Sequence, residues 1–118
     1  MEATSSKRPV YLYEVPPQLA QESGVAQVGL VTLSADEELT CFKRARNDSA
    51  KMATELSMAA LVEADGKKLS GTDGSVDSFW KNLDPRVRQL VMTAYGELHA
   101  AKEEDQQSFL KSRTVRVA

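Results

Sequence analysis

The sequence predicts an α+β fold: one helix-rich domain of about four helices with a small N-terminal β-sheet or hairpin. Three observations predict it. Two β-branched and aromatic runs, residues 10–15 and 28–33, lie near the start. Beyond them the apolar spacing changes from two to three or four, behind two strong helix-start signals at Ser34 and Asp84. The length, 118 residues, suits one domain with its own core and is too short for two ordinary ones.

The elements follow in order. Residues 1–9 are mostly polar and read as a flexible arm, 10–110 as the domain, and 111–118 as a basic tail. The first strand stops at Pro16-Pro17, because proline lacks an amide donor and restricts its predecessor. Residues 18–24, polar with one glycine, read as a loop. Residues 28–33 form a second strand able to pair with the first. Ser34-Ala35-Asp36-Glu37 fits a capping box, and its acids suit a helix N-terminus. The helix it opens places Leu39, Phe42 and Ala45 on one side. Asn47-Asp48-Ser49 interrupts it.

A second helix is expected over residues 50–62, with Met52, Leu56 and Ala59 at helical spacing. Asp65-Gly66 marks a sharp turn that a hairpin or a helix exit would satisfy equally. Residues 67–74 read as a polar loop, and Ser75 as the cap of a short helix carrying Val76, Phe79, Trp80 and Leu83. Asp84-Pro85 is the clearest helix start in the chain. Val87, Leu90, Val91, Ala94, Tyr95 and Leu98 then form an apolar stripe of core-facing width. Buried Leu90 is expected to make Leu90→Asp unfold the domain. Phe109-Leu110 reads as a last apolar anchor, and Val115 and Val117 give the tail marginal strand character.

Composition narrows the function. A formal charge of −2 lacks the electrostatic footprint of a dominant nucleic-acid binder. One cysteine excludes an internal disulfide framework and a multi-thiolate zinc site, and one histidine excludes designs needing two imidazoles. No apolar run reaches the roughly 20 residues of a membrane helix. The start has no signal-peptide-type apolar stretch, so the expectation is a soluble, cytoplasmic protein.

His99 has no serine, cysteine or carboxylate spaced to make it a general base and reads as a surface or helix-end residue. Cys41, without a CxxC partner, reads as a structural thiol. Glu103-Glu104-Asp105 cannot converge on one ion from consecutive helix positions. Asp65-Gly66 and Asp73-Gly74 lack calcium-loop spacing, and Gly71-Thr72-Asp73-Gly74 lacks the phosphate-loop lysine. Arg86 and Arg88 could meet phosphates on a recognition helix, but that helix must bury its apolar face. Trp80 reads as core, as do aromatics at helical spacing generally. No enzyme, metal or cofactor is expected.

Interaction remains. The first strand places Tyr11, Tyr13 and Val15 on one face and Val10, Leu12 and Glu14 on the other. Such a strand is either buried on both sides or lies at an edge that a partner completes. Tyr11, Tyr13, Val15, Val115 and Val117 are therefore the candidate partner-binding residues, with the termini adding strands to neighbouring chains.

The order of features resembles the tail assembly chaperones of long-tailed bacteriophages. The resemblance rests on Val15-Pro16 before the capped helix opening at Leu33-Ser34, on AALVEADGKKL over residues 59–69, and on VDSFWKNLDPRVRQLVMTAYGEL over residues 76–98. It implies a non-enzymatic protein that coats the tape-measure protein, recruits tail-tube subunits, self-associates and works in the host cytoplasm. No client-binding residue carries over. The alternative is a structural virion component of the tail, baseplate or head–tail connection, joined to neighbouring virion subunits and located in the virion tail. A second alternative is a small DNA-binding or inhibitory regulator.

Overall fold

A computed structural model describes residues 8–117. Of the expected arm, residues 1–7 lie outside the described residues, as does Ala118 of the tail. The elements are β1 (Tyr11–Glu14), α1 (Pro17–Ser23), β2 (Gln27–Leu30), α2 (Ala35–Ala45), α3 (Ser49–Ala60), β3 (Leu61–Ala64), β4 (Lys67–Lys68), α4 (Ser75–Asn82), α5 (Pro85–His99) and α6 (Glu103–Lys111). The fold is α+β. The strands form one antiparallel sheet in the order β1-β2-β3-β4.

Two details correct the expectation. The sheet is not confined to the N-terminus, since β3 and β4 come from mid-chain. Six described helices replace about four, the additions being α1 and α6. Residues 18–24 read as a loop because α1 buries no residue fully and is mostly polar; Leu19 and Ala20 pack against the core. Pro17 at its first position and left-handed Gly24 after its end define it.

β1 and β2 pair as expected, with Tyr13 opposite Val28 and Leu12 opposite Gly29, although β2 runs Gln27–Leu30 and not over residues 28–33. Gly29 is required by close approach. A β-carbon there would stand 2.8 Å from Val10 Cγ1, 3.1 Å from Glu63 Cβ and 3.2 Å from Leu12 Cδ2. Gly29→Val should therefore push β1 off the sheet and destabilise the domain by about 1–3 kcal/mol. A urea midpoint equal to that of the parent chain would contradict this register.

α3 ends at Ala60, two residues before the expected Val62, because Leu61 leaves the helix directly into β3 opposite Leu30. Asp65 and Gly66, with φ of 50° and 81°, close the β3–β4 hairpin. Asp65 Oδ1 also accepts from the amides of Ala26 and Gln27, both at 2.9 Å, and so ties the turn to the start of β2.

The capping box of α2 forms: Ser34 Oγ accepts from the Glu37 amide, and Glu37 accepts from the Ser34 amide. Its inward face differs from the expected one. Small Cys41 and Ala45 are buried against α3, while Leu39 (51 % exposed) and Phe42 (59 %) point outward. α4 is preceded by left-handed Gly74 rather than capped by Ser75. The Ser75 hydroxyl instead accepts from the Ser70 amide at 2.7 Å and donates to the Ser70 carbonyl, closing the loop.

Asp84 caps α5 by accepting from the Arg86 amide at 2.9 Å, with Pro85 at the first position. The core joins Val28, Leu30, Ala60, Leu61, Trp80, Val87, Val91 and Ala94. Leu90 is the exception in the stripe, 41 % exposed. Leu90→Asp therefore leaves the protein folded, contrary to the expectation from the stripe, because the new carboxylate would stay hydrated.

The Asp84 carboxyl is held down to about 2, first by the Arg86 guanidinium and then by the Arg86 amide. A depressed carboxyl stabilises the fold above its ordinary value near 3.8, and that contribution is lost as pH falls towards 2. The melting temperature should fall across this window, and more steeply in the parent than in Asp84→Asn. Parallel curves for the two chains would contradict the cap's charged role.

Beyond α5 the chain leaves the packed body. Phe109 and Leu110 are 76 % and 67 % exposed, no anchor at all, and α6 buries nothing. The described tail forms no strand. The radius of gyration, 17.0 Å, accordingly exceeds the about 13 Å of a compact chain of this length.

Candidate functional site

β1 is an outer strand of the sheet, so one row of its backbone donors and acceptors has no ladder partner among the described residues. The opposite edge is only Lys67-Lys68, short and charged, two features that discourage pairing. β1 is twice as long and has one charged residue, Glu14, at its end. Val10, Tyr11 and Leu12 are each between 41 % and 55 % exposed.

Beside this edge, β1 and α5 enclose an open groove of about 280 Å³. Tyr13, Val15, Pro16, Val28, Leu90 and Ala94 give it an apolar lining, while Glu14 and Glu97 add acid. Its position follows from the sequence. Alternation along β1 turns Tyr13 towards α5, Pro16 ends the strand beside Val15, and Leu90 lies at the margin of the α5 stripe. Burial first, and Glu97 and Tyr11 after it, push the Tyr13 hydroxyl above its ordinary range. The lining offers no nucleophile paired with a base. It can take an apolar side chain from a segment that extends the sheet along β1.

The five candidate residues are placed unequally. Tyr13 and Val15 meet in the groove, and Val15 is buried there, its amide donating to the Ala26 carbonyl at 2.8 Å. Tyr11 lies at the far end of the strand. Val115 and Val117 are 81 % and 91 % exposed and belong to no described strand, so the structure does not bring them to β1. Pro16, Leu90, Ala94 and Glu97 were missed by sequence reasoning. Leu90 and Ala94 carried a signal, since the α5 stripe is wider than one packing partner requires.

The other side chains singled out have structural tasks. Leu33 donates its amide to His99 Nε2 at 2.9 Å, which places the ring proton on Nδ1, facing the Tyr95 carbonyl at 2.9 Å. The ring also stacks on Tyr95, 4.0 Å between centroids. His99 thus fastens the end of α5 to the β2–α2 connection. Cys41 Sγ faces the Glu55 carbonyl at 3.5 Å, and burial pushes its thiol up, away from the reactive thiolate. Trp80 is core. Asp73 accepts from the Ser75 amide and so closes its own turn. Arg86 pairs with Asp84 at 2.8 Å and Glu22 at 3.0 Å rather than standing free for phosphate.

Among the described residues no three histidine, cysteine or acidic side chains converge to hold a metal ion. No described helix is long and apolar enough to cross a membrane. No protein-family model, curated protein or solved structure matches the chain.

Proposed function

We propose that this protein is a non-enzymatic phage tail assembly chaperone that binds the tape-measure protein and tail-tube subunits in the host cytoplasm. The observation that carries the reading is the outer edge of β1 lying beside the apolar groove under Leu90. An edge supplies main-chain hydrogen bonds that accept many sequences, and the groove supplies the apolar component. That combination suits a client whose apolar positions recur along a long chain. Glu14 and Glu97 favour segments with a basic residue beside the apolar one.

The test is co-expression of the full chain with a tape-measure protein and a tail-tube protein encoded beside it. The parent should keep the tape-measure protein soluble and co-purify with it. Leu90→Asp and Leu12→Lys should each reduce recovery at least tenfold while melting like the parent. Undiminished recovery by both variants would place client binding elsewhere.

One observation favours the alternative of a structural virion component of the tail, baseplate or head–tail connection. α6 and the basic tail project from the body, as a joint to a neighbouring virion subunit would. A fixed copy number in purified particles would establish that reading instead.

A further inference from the structure

The corner where α2 turns into α3 carries a charge opposite to that of the whole molecule. Lys43, Arg44, Arg46 and Lys51 stand there against one acid, Asp48, in a chain whose formal charge is −2. All four cations are exposed. Arg44 leans to Glu55 at 3.8 Å, whereas Lys43, Arg46 and Lys51 enter no ion pair among the described residues. The Asp48 carboxylate is engaged as the cap of α3. Its Oδ1 accepts from the Ala50 amide at 3.0 Å and from the Lys51 amide at 3.1 Å.

The same corner holds an open apolar pocket of about 310 Å³, lined by Phe42, Asn47, Asp48, Ser49 and Met52. Phe42 is 59 % exposed because α2 packs through Cys41 and Ala45, which leaves the ring with no core task. Met52, half-buried, adds an adaptable thioether side chain. Lys43 follows Phe42, Arg46 precedes Asn47 and Lys51 precedes Met52. Each of these three cations therefore starts about 3.8 Å of backbone from a lining residue. Stems of lysine and arginine length reach the rim from there.

An apolar pocket with a cationic rim selects an apolar side chain carried between carboxylates. A nucleic-acid strand fits the corner less well. Phe42 is its one aromatic residue, where a strand needs a series of stacking surfaces. The net negative charge of the chain also opposes a long polyanion. A short acidic segment meets the rim without that long-range cost. The groove beside β1 is lined instead with Glu14 and Glu97, so the two sites prefer segments of opposite charge.

We propose that the α2–α3 corner is a second docking site, for an acidic protein segment. The segment sets one apolar side chain against Phe42 and Met52 and its carboxylates beside Lys43, Arg46 and Lys51. The site goes beyond the client-binding reading of the β1 groove and does not depend on it.

The test is fluorescence anisotropy of the full chain with three labelled peptides, EELFEE, the uncharged QQLFQQ and the apolar-free EEGGEE, and with a single-stranded oligothymidylate. EELFEE is expected to bind saturably and at least about tenfold tighter than the other three probes. Lys43→Glu with Lys51→Glu, and separately Phe42→Ser, should each weaken EELFEE at least about tenfold. Both variants should melt like the parent, since all three positions are exposed. Leu90→Asp, in the β1 groove, should bind EELFEE as the parent does. No saturation of the parent at millimolar EELFEE, undiminished binding by either corner variant, or loss on Leu90→Asp would overturn the proposal. Tighter binding of the oligothymidylate would overturn it in favour of a nucleic-acid site. Binding that occurs only as a dimer of the chain splits, seen by sedimentation, would overturn it in favour of a second copy.

Discussion

Val91→Asp is expected to leave no cooperatively folded domain at 25 °C. Val91 is 1 % exposed, on the face of α5 that packs against the core, where no cationic side chain is within the cluster to pair a carboxylate. Burying that charge costs more than about 4 kcal/mol. Total stabilities are only about 5–15 kcal/mol, so such a loss removes most or all of the folded population. Leu90→Asp, one residue away, should instead melt within a few degrees of the parent, since its side chain borders solvent in the groove. Circular dichroism melts of the two variants check both at once. A native-like melt for Val91→Asp, or unfolding of Leu90→Asp, would show that the inward face of α5 is misassigned.

Trp80→Ala should destabilise by about 3–5 kcal/mol and lower the melting temperature by about 10–20 °C. Trp80 sits among Val76, Leu83, Val87 and the other buried residues, and α4 is too short to close over the space a missing indole would leave. Trp80→Phe should recover most of that loss because it refills most of the volume. A shift below about 5 °C for the alanine variant would contradict the core position.

The legible parts of the fold were those written in local chemistry. The Ser34 capping box, the Asp84-Pro85 start and the strand ended by Pro16 each depend on neighbours within a few residues, and each forms as read. Asp65-Gly66 was legible as a turn, and only the pairing of β3 with β4 decided for a hairpin. Facing was less legible. Leu39 and Phe42 satisfy an apolar helical spacing, yet α2 packs through Cys41 and Ala45 because α3 approaches its small residues. Composition alone hid α1, whose polarity reflects exposure rather than irregular backbone.

The groove was half legible. Tyr13 and Val15 followed from β1 alternation, whereas Leu90 and Glu97 reach the site only through the docking of α5 across the sheet. Val115 and Val117 share the strand-like alternation of β1, but no turn or neighbouring strand holds them in place. His99 was legible as a helix-end residue, and its bond to Leu33, 66 positions earlier, was not.

The central claim, that this is an assembly chaperone acting through protein contacts, is tested most directly by quantitative mass spectrometry. Purified phage particles and the lysate they came from would be measured together. The chaperone reading predicts abundance in the lysate, in complexes with the tape-measure protein, and depletion from particles to trace level. A stable count of this chain per finished particle would contradict it and make the protein a part of the virion.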